Sequence, residues 1–435
     1  MTPKLVFVNR FFAPDQSATS RMVSDLARLL RASGHRVEAV CSRQLYDDAA
    51  ADLPEREEID GVVVHRVGRG RHGRGSLGGR ALDYLGFHWA ACRHLRRILE
   101  PGDVVIAKTD PPLLGVSVAR AARARGALLV NWLQDVFPEV ATELGLPIKP
   151  AFFERLLLAL RDGSLRQAAC NVAIGSRMRE RLLARGITAP IRVIPNWVDI
   201  DEITVRGTAE NPVRAELDLG RRFVIGYSGN LGRAHEFDTF LGAAQLLADS
   251  PEFVFLITGG GARMAALRAA VAARNLANFR FQSFQPAERL ADSMAAADVH
   301  LVSLLPGTEG LIVPSKYYGI MAAGRPAIFI GDPDGELARE IRADDTGAVV
   351  AVGDARALAA ELRSLHAEPA RFARLAANAR RSAEVRHSSR RALTTWLALF
   401  DSLRPRAADA VAAPVAVADS APASAPTAAR AQSGT

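Results

Sequence analysis

Two successive series of unbroken apolar runs, separated by helix-length segments, restrict this 435-residue chain to very few architectures. The first series is KLVFVN (from Lys4), VEAVCS (from Val37), GVVVHRV (from Gly61), DVVIAK (from Asp103), ALLVNWLQ (from Ala127), CNVAIG (from Cys170) and IRVIPN (from Ile191). The second is FVIGYSG (from Phe223), FVFLITGG, FRFQSF, VHLVSLL, PAIFIG and GAVVAVG. Most of these runs are continuous in Val, Ile and Leu instead of alternating with polar residues. That is the pattern of parallel strands covered on both faces. Amphipathic segments lie between them; SRMVSDLARLLRASG, for example, closes on Gly34 as a helix stop. The expectation is an α/β protein with two doubly wound, Rossmann-like domains facing across a cleft. The boundaries are read as 1–198, 199–386, a helix at 387–404 with an apolar face, and an Ala/Pro/Ser-rich tail at 405–435. The tail is too poor in large apolar residues to build a core and is expected to be disordered.

Composition removes several classes. A 49% hydrophobic fraction fills real cores. Cys41, Cys92 and Cys170 are too few and too scattered for a disulfide framework or a metal site, so no metal is expected. No apolar run reaches the length of a membrane span, and the N-terminus lacks the pattern of a signal peptide. A cytoplasmic location follows as the expectation. Residues 1–200 carry 29 Lys and Arg against 21 Asp and Glu, whereas the remainder is balanced at 26 and 26. A basic first half suits an anionic partner such as a membrane surface or a phosphorylated acceptor. A mild arginine excess on a solvated face accounts for it as well. Nucleic acid is not expected, since no strand interleaves aromatic and basic residues.

In open parallel sheets ligands sit at the carboxyl ends of the strands, so only those loops are candidates. In the second series, YSGNLGRAHEFD brings Gly229, Asn230, Gly232 and Arg233, and TGGGAR brings Gly259, Gly260 and Gly261. Glycines there let a ligand approach the backbone, although each loop alone reads equally as a tight strand-to-helix turn. The FQP loop after FRFQS is placed to line a base. EGLIVPSKYYGIMAAGRP then supplies Glu309, Gly310, Pro314, Ser315 and Lys316. Pro314 fits a first helical turn, Lys316 favours a phosphate, and Glu309 favours hydroxyls. Phosphate and polyol groups recognised side by side describe a sugar nucleotide. In the first series, FFAPDQSATSR offers Pro14, Ser17, Ala18 and Thr19, AKTDPPLL offers Asp110, and NWLQDVFPE offers Gln134 and Asp135. An acid in such a loop is a helix cap about as often as a ligand group.

Taken together, RFFAPD, SRQLYDD, KTDPPLL, NWLQDVFPE, VIPNWVD, GYSGNLGRAHEFDT and EGLIVPSKYYGIMAAGRP resemble the family 4 glycosyltransferases of GT-B architecture. The likeness covers about residues 4–400 and is most specific to bacterial glycosyltransferases of colanic-acid and other exopolysaccharide biosynthesis. It implies retaining, metal-independent transfer from a nucleoside-diphosphate sugar, with no further cofactor, to a lipid-linked cell-surface glycan. By the same resemblance Glu309 meets the transferred sugar, Arg233 and Lys316 meet the diphosphate, and Asp135 stands at the reaction centre. The family usually places a second glutamate later in the donor motif to hold the ribose; here the corresponding position holds Tyr317 or, aligned on IMAAG, Gly319. That departure leaves two alternatives open, a sugar-nucleotide 2-epimerase and a non-catalytic scaffold subunit. An epimerase requires a histidine among acids, and of the histidines His235 is placed to reach the cleft, while His35, His65 and His300 read as structural. The segment PAFFERLLLALRDGSLRQA (from Pro150) sets Phe152, Phe153 and leucines beside arginines, the make-up of a helix lying on the inner membrane's cytoplasmic face or of one packed on a sheet.

Overall fold

The computed structural model describes residues 3–404 apart from 69 and 71–76; the 405–435 segment lies outside the described residues. Its N-terminal sheet holds β1 (Leu5–Val8), β2 (Val37–Cys41), β3 (Arg56–Ile59), β4 (Val62–Arg66), β5 (Val104–Ala107), β6 (Leu128–Leu133), β7 (Cys170–Ala173) and β8 (Ile191–Val193). They run in the order β3-β4-β2-β1-β5-β6-β7-β8. All neighbours pair in parallel except the β3–β4 hairpin. The second sheet holds β9 (Phe223–Asn230), β10 (Phe253–Gly260), β11 (Phe279–Gln282), β12 (Val299–Ser303), β13 (Ala327–Gly331) and β14 (Gly347–Ala351). Its order is β11-β10-β9-β12-β13-β14, parallel throughout.

Every residue of β1, β5, β7, β12 and β13 is buried. Each Val, Ile, Leu or Phe so enclosed contributes about 1.5–3 kcal/mol relative to exposure, which is why these runs are continuous. The sequence reading missed β3. Its REEI is half exposed and pairs antiparallel at the sheet edge, so it carries no apolar run to read.

The chain crosses between the two units twice. The Pro369–Arg386 helix packs on the Lys316–Ala322 helix, and the Ser389–Ser402 helix returns to the Ala18–Ala32 helix of the N-terminal unit. Trp396 is fully buried there, its ring 5.0 Å from that of Trp132, which stacks on Trp197 at 5.6 Å. The helix expected at 387–404 is thus part of the N-terminal core. At the crossing the two passes lie side by side, with the Val198 N–H donating to the His387 carbonyl (2.9 Å) and the Ser389 N–H to that of Val198 (3.1 Å). Among the described residues no helix is long and apolar enough to cross a membrane.

Candidate active site

Loops following β6 and β7 meet loops following β12 and β13, so the cleft is bounded by strand ends of both sheets. The Val136 N–H donates to the Leu311 carbonyl at 2.9 Å. Arg339 pairs with Glu180 at 3.0 Å across the same seam.

On the C-terminal side, β9 and β10 approach each other through glycine. A Cβ on Gly259 would stand 2.3 Å from the Gly229 carbonyl oxygen, and one on Gly261 would stand 2.4 Å from Oδ1 of Asn230. Both have φ of +127°, a conformation that favours glycine. The Phe284 ring of the FQP loop lies over Gly260 and is 61% exposed. An open aromatic face above a glycine floor is a platform for a flat heterocycle. Close by, Lys316 Nζ sits 3.7 Å above the Tyr227 ring and 2.5 Å from its hydroxyl. Burial pushes the Lys316 ammonium down to about 7. It has no carboxylate partner among the described residues, so the charge is available to an anion. Arg233 is exposed and likewise has no partner among the described residues. His235 Nδ1 lies 2.6 Å from the Ser303 carbonyl, and burial, with Lys316 nearby, holds its pKa at about 3, so the ring is neutral. Asn230 and Ser315 are exposed and Pro314 is buried.

Glu309 lies beside the start of the Glu336–Asp344 helix. It is 4% exposed; its Oε1 accepts the Glu336 N–H at 2.8 Å and its Oε2 lies against Gly335. The carboxylate caps the start of the Glu336–Asp344 helix, and burial raises its pKa. Gly310, at φ +71°, packs on the Arg177 carbonyl of the N-terminal unit. Tyr317 is in the core, its hydroxyl 2.8 Å from that of Thr346, while Gly319 sits beside Ile203 and Met294. No carboxylate occupies either position of the family's second glutamate.

On the N-terminal side, the structure brings Asp110, Asp135 and a residue the sequence reading did not single out, Lys108, to the ends of β5 and β6. Lys108 is 2% exposed; its Nζ donates to the Thr19 carbonyl at 2.9 Å and lies 4.3 Å from the Trp132 ring centre. Burial brings it down to about 7, partly offset by Asp135 and Asp110. Asp135 opens on the cleft but is hemmed in by protein, which raises its carboxyl to about 6 against the opposing pull of Lys108. Asp110 is also raised to about 6 by burial, with Arg10 opposing. Gln134 is tied to the interdomain segment, its Nε2 donating to Oδ1 of Asn196 at 3.0 Å. Ser17 donates its backbone N–H to Asp15 at 2.9 Å, and Ala18 begins the next helix with Thr19 behind it. Pro14 and Ala18 are exposed on the same rim. Lys108 was concealed by its place inside an apolar run, where lysine reads as a strand end.

Away from the cleft, Leu82, Leu85 and Trp89 of the Leu77–Ile98 helix and Phe152, Phe153 and Leu156 of the Ala151–Gln167 helix are all exposed. Both helices flank the Leu114–Arg125 helix, so these residues belong to one face of the N-terminal unit.

Residues 17–197 match the glycosyl transferase 4-like domain, and residues 222–368 match glycosyl transferases group 1. The chain is 31% identical over 248 residues to the probable glycosyltransferase WbjE of Pseudomonas aeruginosa, covering 57% of this chain and 61% of that one. It is 29% identical over 223 residues to the putative colanic acid biosynthesis glycosyl transferase WcaI of Escherichia coli, covering 50% and 54%. It therefore spans under two thirds of the length of either relative. Among solved structures, sucrose-phosphate synthase from Thermosynechococcus elongatus superposes with a TM-score of 0.73 at 19% identity, over 92% of this chain and 99% of that one. Anabaena HepE in complex with UDP-glucose superposes at 0.68 and 16% identity, over 92% and 99%. These two share the fold.

Proposed function

Because the chain belongs to the GT-B glycosyltransferases of family 4, we propose that it moves a sugar from a nucleoside-diphosphate sugar to a lipid-linked glycan of a cell-surface polysaccharide. The observation that carries this reading is Lys316, a half-buried cation without a carboxylate partner among the described residues, beside the glycine floor and the Phe284 ring. The base stacks on Phe284. Lys316 and Arg233 meet the diphosphate, and their charge, in place of a bound metal, stabilises the leaving group. Asp135 takes the acceptor's side of the cleft, where a carboxyl titrating near 6 accepts a proton from an attacking hydroxyl. Transfer with retention, the outcome expected of the family, has that hydroxyl form its bond to the sugar's anomeric carbon on the face from which the diphosphate departs as the bond to the diphosphate breaks. Loss of the second glutamate leaves the ribose to the backbone of the glycine loops. The exposed aromatic residues of the N-terminal unit support a seat on the cytoplasmic side of an anionic membrane.

Two measurements test this. UDP or GDP should raise the melting temperature by mass action, and a panel of their sugars should give transfer product of retained configuration; no stabilisation by either nucleotide refutes the donor assignment. Flotation with anionic vesicles should be lost on joint Phe152→Glu and Phe153→Glu substitution; equal flotation of variant and parent refutes the membrane face.

A further inference from the structure

The fold dictates which nitrogen of His235 carries the proton. Nδ1 lies 2.6 Å from the Ser303 carbonyl at the end of β12. A carbonyl only accepts, so Nδ1 is protonated and Nε2 keeps its lone pair. Nε2 has no partner among the described residues, yet it is not sealed from solvent. The rest of the residue is fixed. Its backbone N–H donates to the Gly232 carbonyl at 3.2 Å, and its own carbonyl accepts from Arg263 Nη1 at 2.6 Å. The ring makes a T-shaped contact with Tyr227 at 6.1 Å. The preceding residue, Ala234, accepts from the Leu305 N–H at 2.8 Å, in the loop that leads to Glu309. His235 thus presents a rigid, uncharged acceptor.

Its place along the sheet says what it meets. The strand order here is β11-β10-β9-β12. Phe284, after β11, lies over Gly260 of β10, and Lys316 sits on Tyr227 of β9. His235 follows β9 and is bonded to the end of β12, one strand further on. A sugar nucleotide laid along these strand ends, with its base on Phe284 and its diphosphate at Lys316, carries its sugar toward β12. A bare lone pair repels phosphate oxygen and attracts a hydroxyl.

We infer that Nε2 of His235 accepts a hydrogen bond from a hydroxyl of the transferred sugar. This rests on the nucleoside-diphosphate-sugar donor proposed above and adds a residue that selects among such donors. A site built to bond a hydroxyl rejects the analogue that lacks it. The test uses the full chain and calorimetry. The probes are UDP-glucose, UDP-galactose, GDP-mannose and GDP-fucose, each beside plain UDP or GDP. The sugar nucleotide that the parent binds most tightly is followed in the variants. His235→Phe should weaken it about tenfold, the upper range for one hydrogen bond, while plain UDP or GDP stays within about twofold. His235→Gln, whose amide donates to Ser303 and still presents an oxygen, should keep most of the affinity. His235→Asn keeps the bond to Ser303 but is too short to hold an acceptor at that place; it should lose as much as Phe and decides the matter if His235→Phe does not fold. Equal losses for sugar nucleotide and plain nucleotide show a structural or phosphate role and overturn the inference. No loss for either also overturns it, and leaves the donor site standing. A parent that binds neither kind of nucleotide refutes the donor site itself.

Discussion

Replacing Lys316 by Met should make the free protein more stable and its nucleotide binding much weaker. Burial holds Lys316 at about 7 against an ordinary 10.5. At pH 7.5 the folded chain must give up a proton that the unfolded chain keeps. Three pH units below 10.5, at about 1.36 kcal/mol each, make this roughly 4 kcal/mol. Lys316 is only half-buried, and solvent screening takes back about half of that. The remaining ~2 kcal/mol is what Met, of similar length and no charge, recovers. For a domain of this size that is a rise of roughly 4–8 °C in melting temperature. Between about pH 7 and 10.5 the unfolded state binds the extra proton, so the parent gains stability as pH rises. The variant's advantage is therefore largest below pH 7 and shrinks toward 10.5. With a nucleoside diphosphate bound the order reverses, because the parent keeps a charge-assisted contact of about 1.5–3 kcal/mol that Met lacks. Differential scanning fluorimetry of both proteins from pH 6 to 10, with and without UDP and GDP, measures all of this. A free variant that melts below the parent, or one that keeps the full nucleotide shift, refutes the reasoning.

Other perturbations probe neighbouring groups. Phe284→Ala should weaken nucleotide binding by about 1–3 kcal/mol, the worth of one base stacked on an aromatic ring, with no loss of melting temperature, since the ring is exposed; calorimetry with UDP checks it. Glu309→Ala should lower stability by about 1–2 kcal/mol, because it removes the acceptor for the Glu336 N–H, whereas Glu309→Gln should retain most of it; thermal or urea unfolding decides. The pH profile of kcat/KM should rise as Asp135 ionises through about 6 and fall as Lys316 loses its proton through about 7. Asp135→Asn should abolish the acidic limb along with most of the rate.

The strands, and the sheets they build, were legible because parallel strands buried on both faces leave continuous apolar runs. A hairpin edge of REEI, exposed on alternate residues, leaves no such trace. The return of the last helix was invisible for another reason: Trp396 has the same apolar face whether it packs on its own domain or on Trp132 of the other. The loops of the site were legible as glycine, cation and acid at strand ends, and Arg233, Lys316 and Asp135 lie in loops or helix starts that follow strands of the two sheets. What sequence could not supply is the partner of each charge. Glu309 and Lys316 stand close together in the chain, yet one is engaged by a backbone N–H and the other by an aromatic ring.

That difference bears on how the cleft works. Glu309 accepts from the N–H of Glu336, and the Glu336 carboxylate in turn accepts from the Arg177 N–H at 2.7 Å and the Ser176 hydroxyl at 3.0 Å. Two helix starts, Glu336–Asp344 in one unit and Ser176–Ala184 in the other, therefore meet across the seam. Their positive ends would repel, and the two carboxylates stand between them. A Cβ on Gly175 would lie 2.6 Å from the Glu336 carboxyl carbon, so the approach depends on glycine. The same loop carries Leu311, whose carbonyl is bonded to the residue after Asp135. Separating the units breaks the Glu336 cap and the Val136–Leu311 bond together, which parts the loop after β6 from the loop after β12. The contacts that join the units at this seam are thus kept or lost together. Glu309, read in sequence as a ligand group, also caps the helix whose first residue joins the two units.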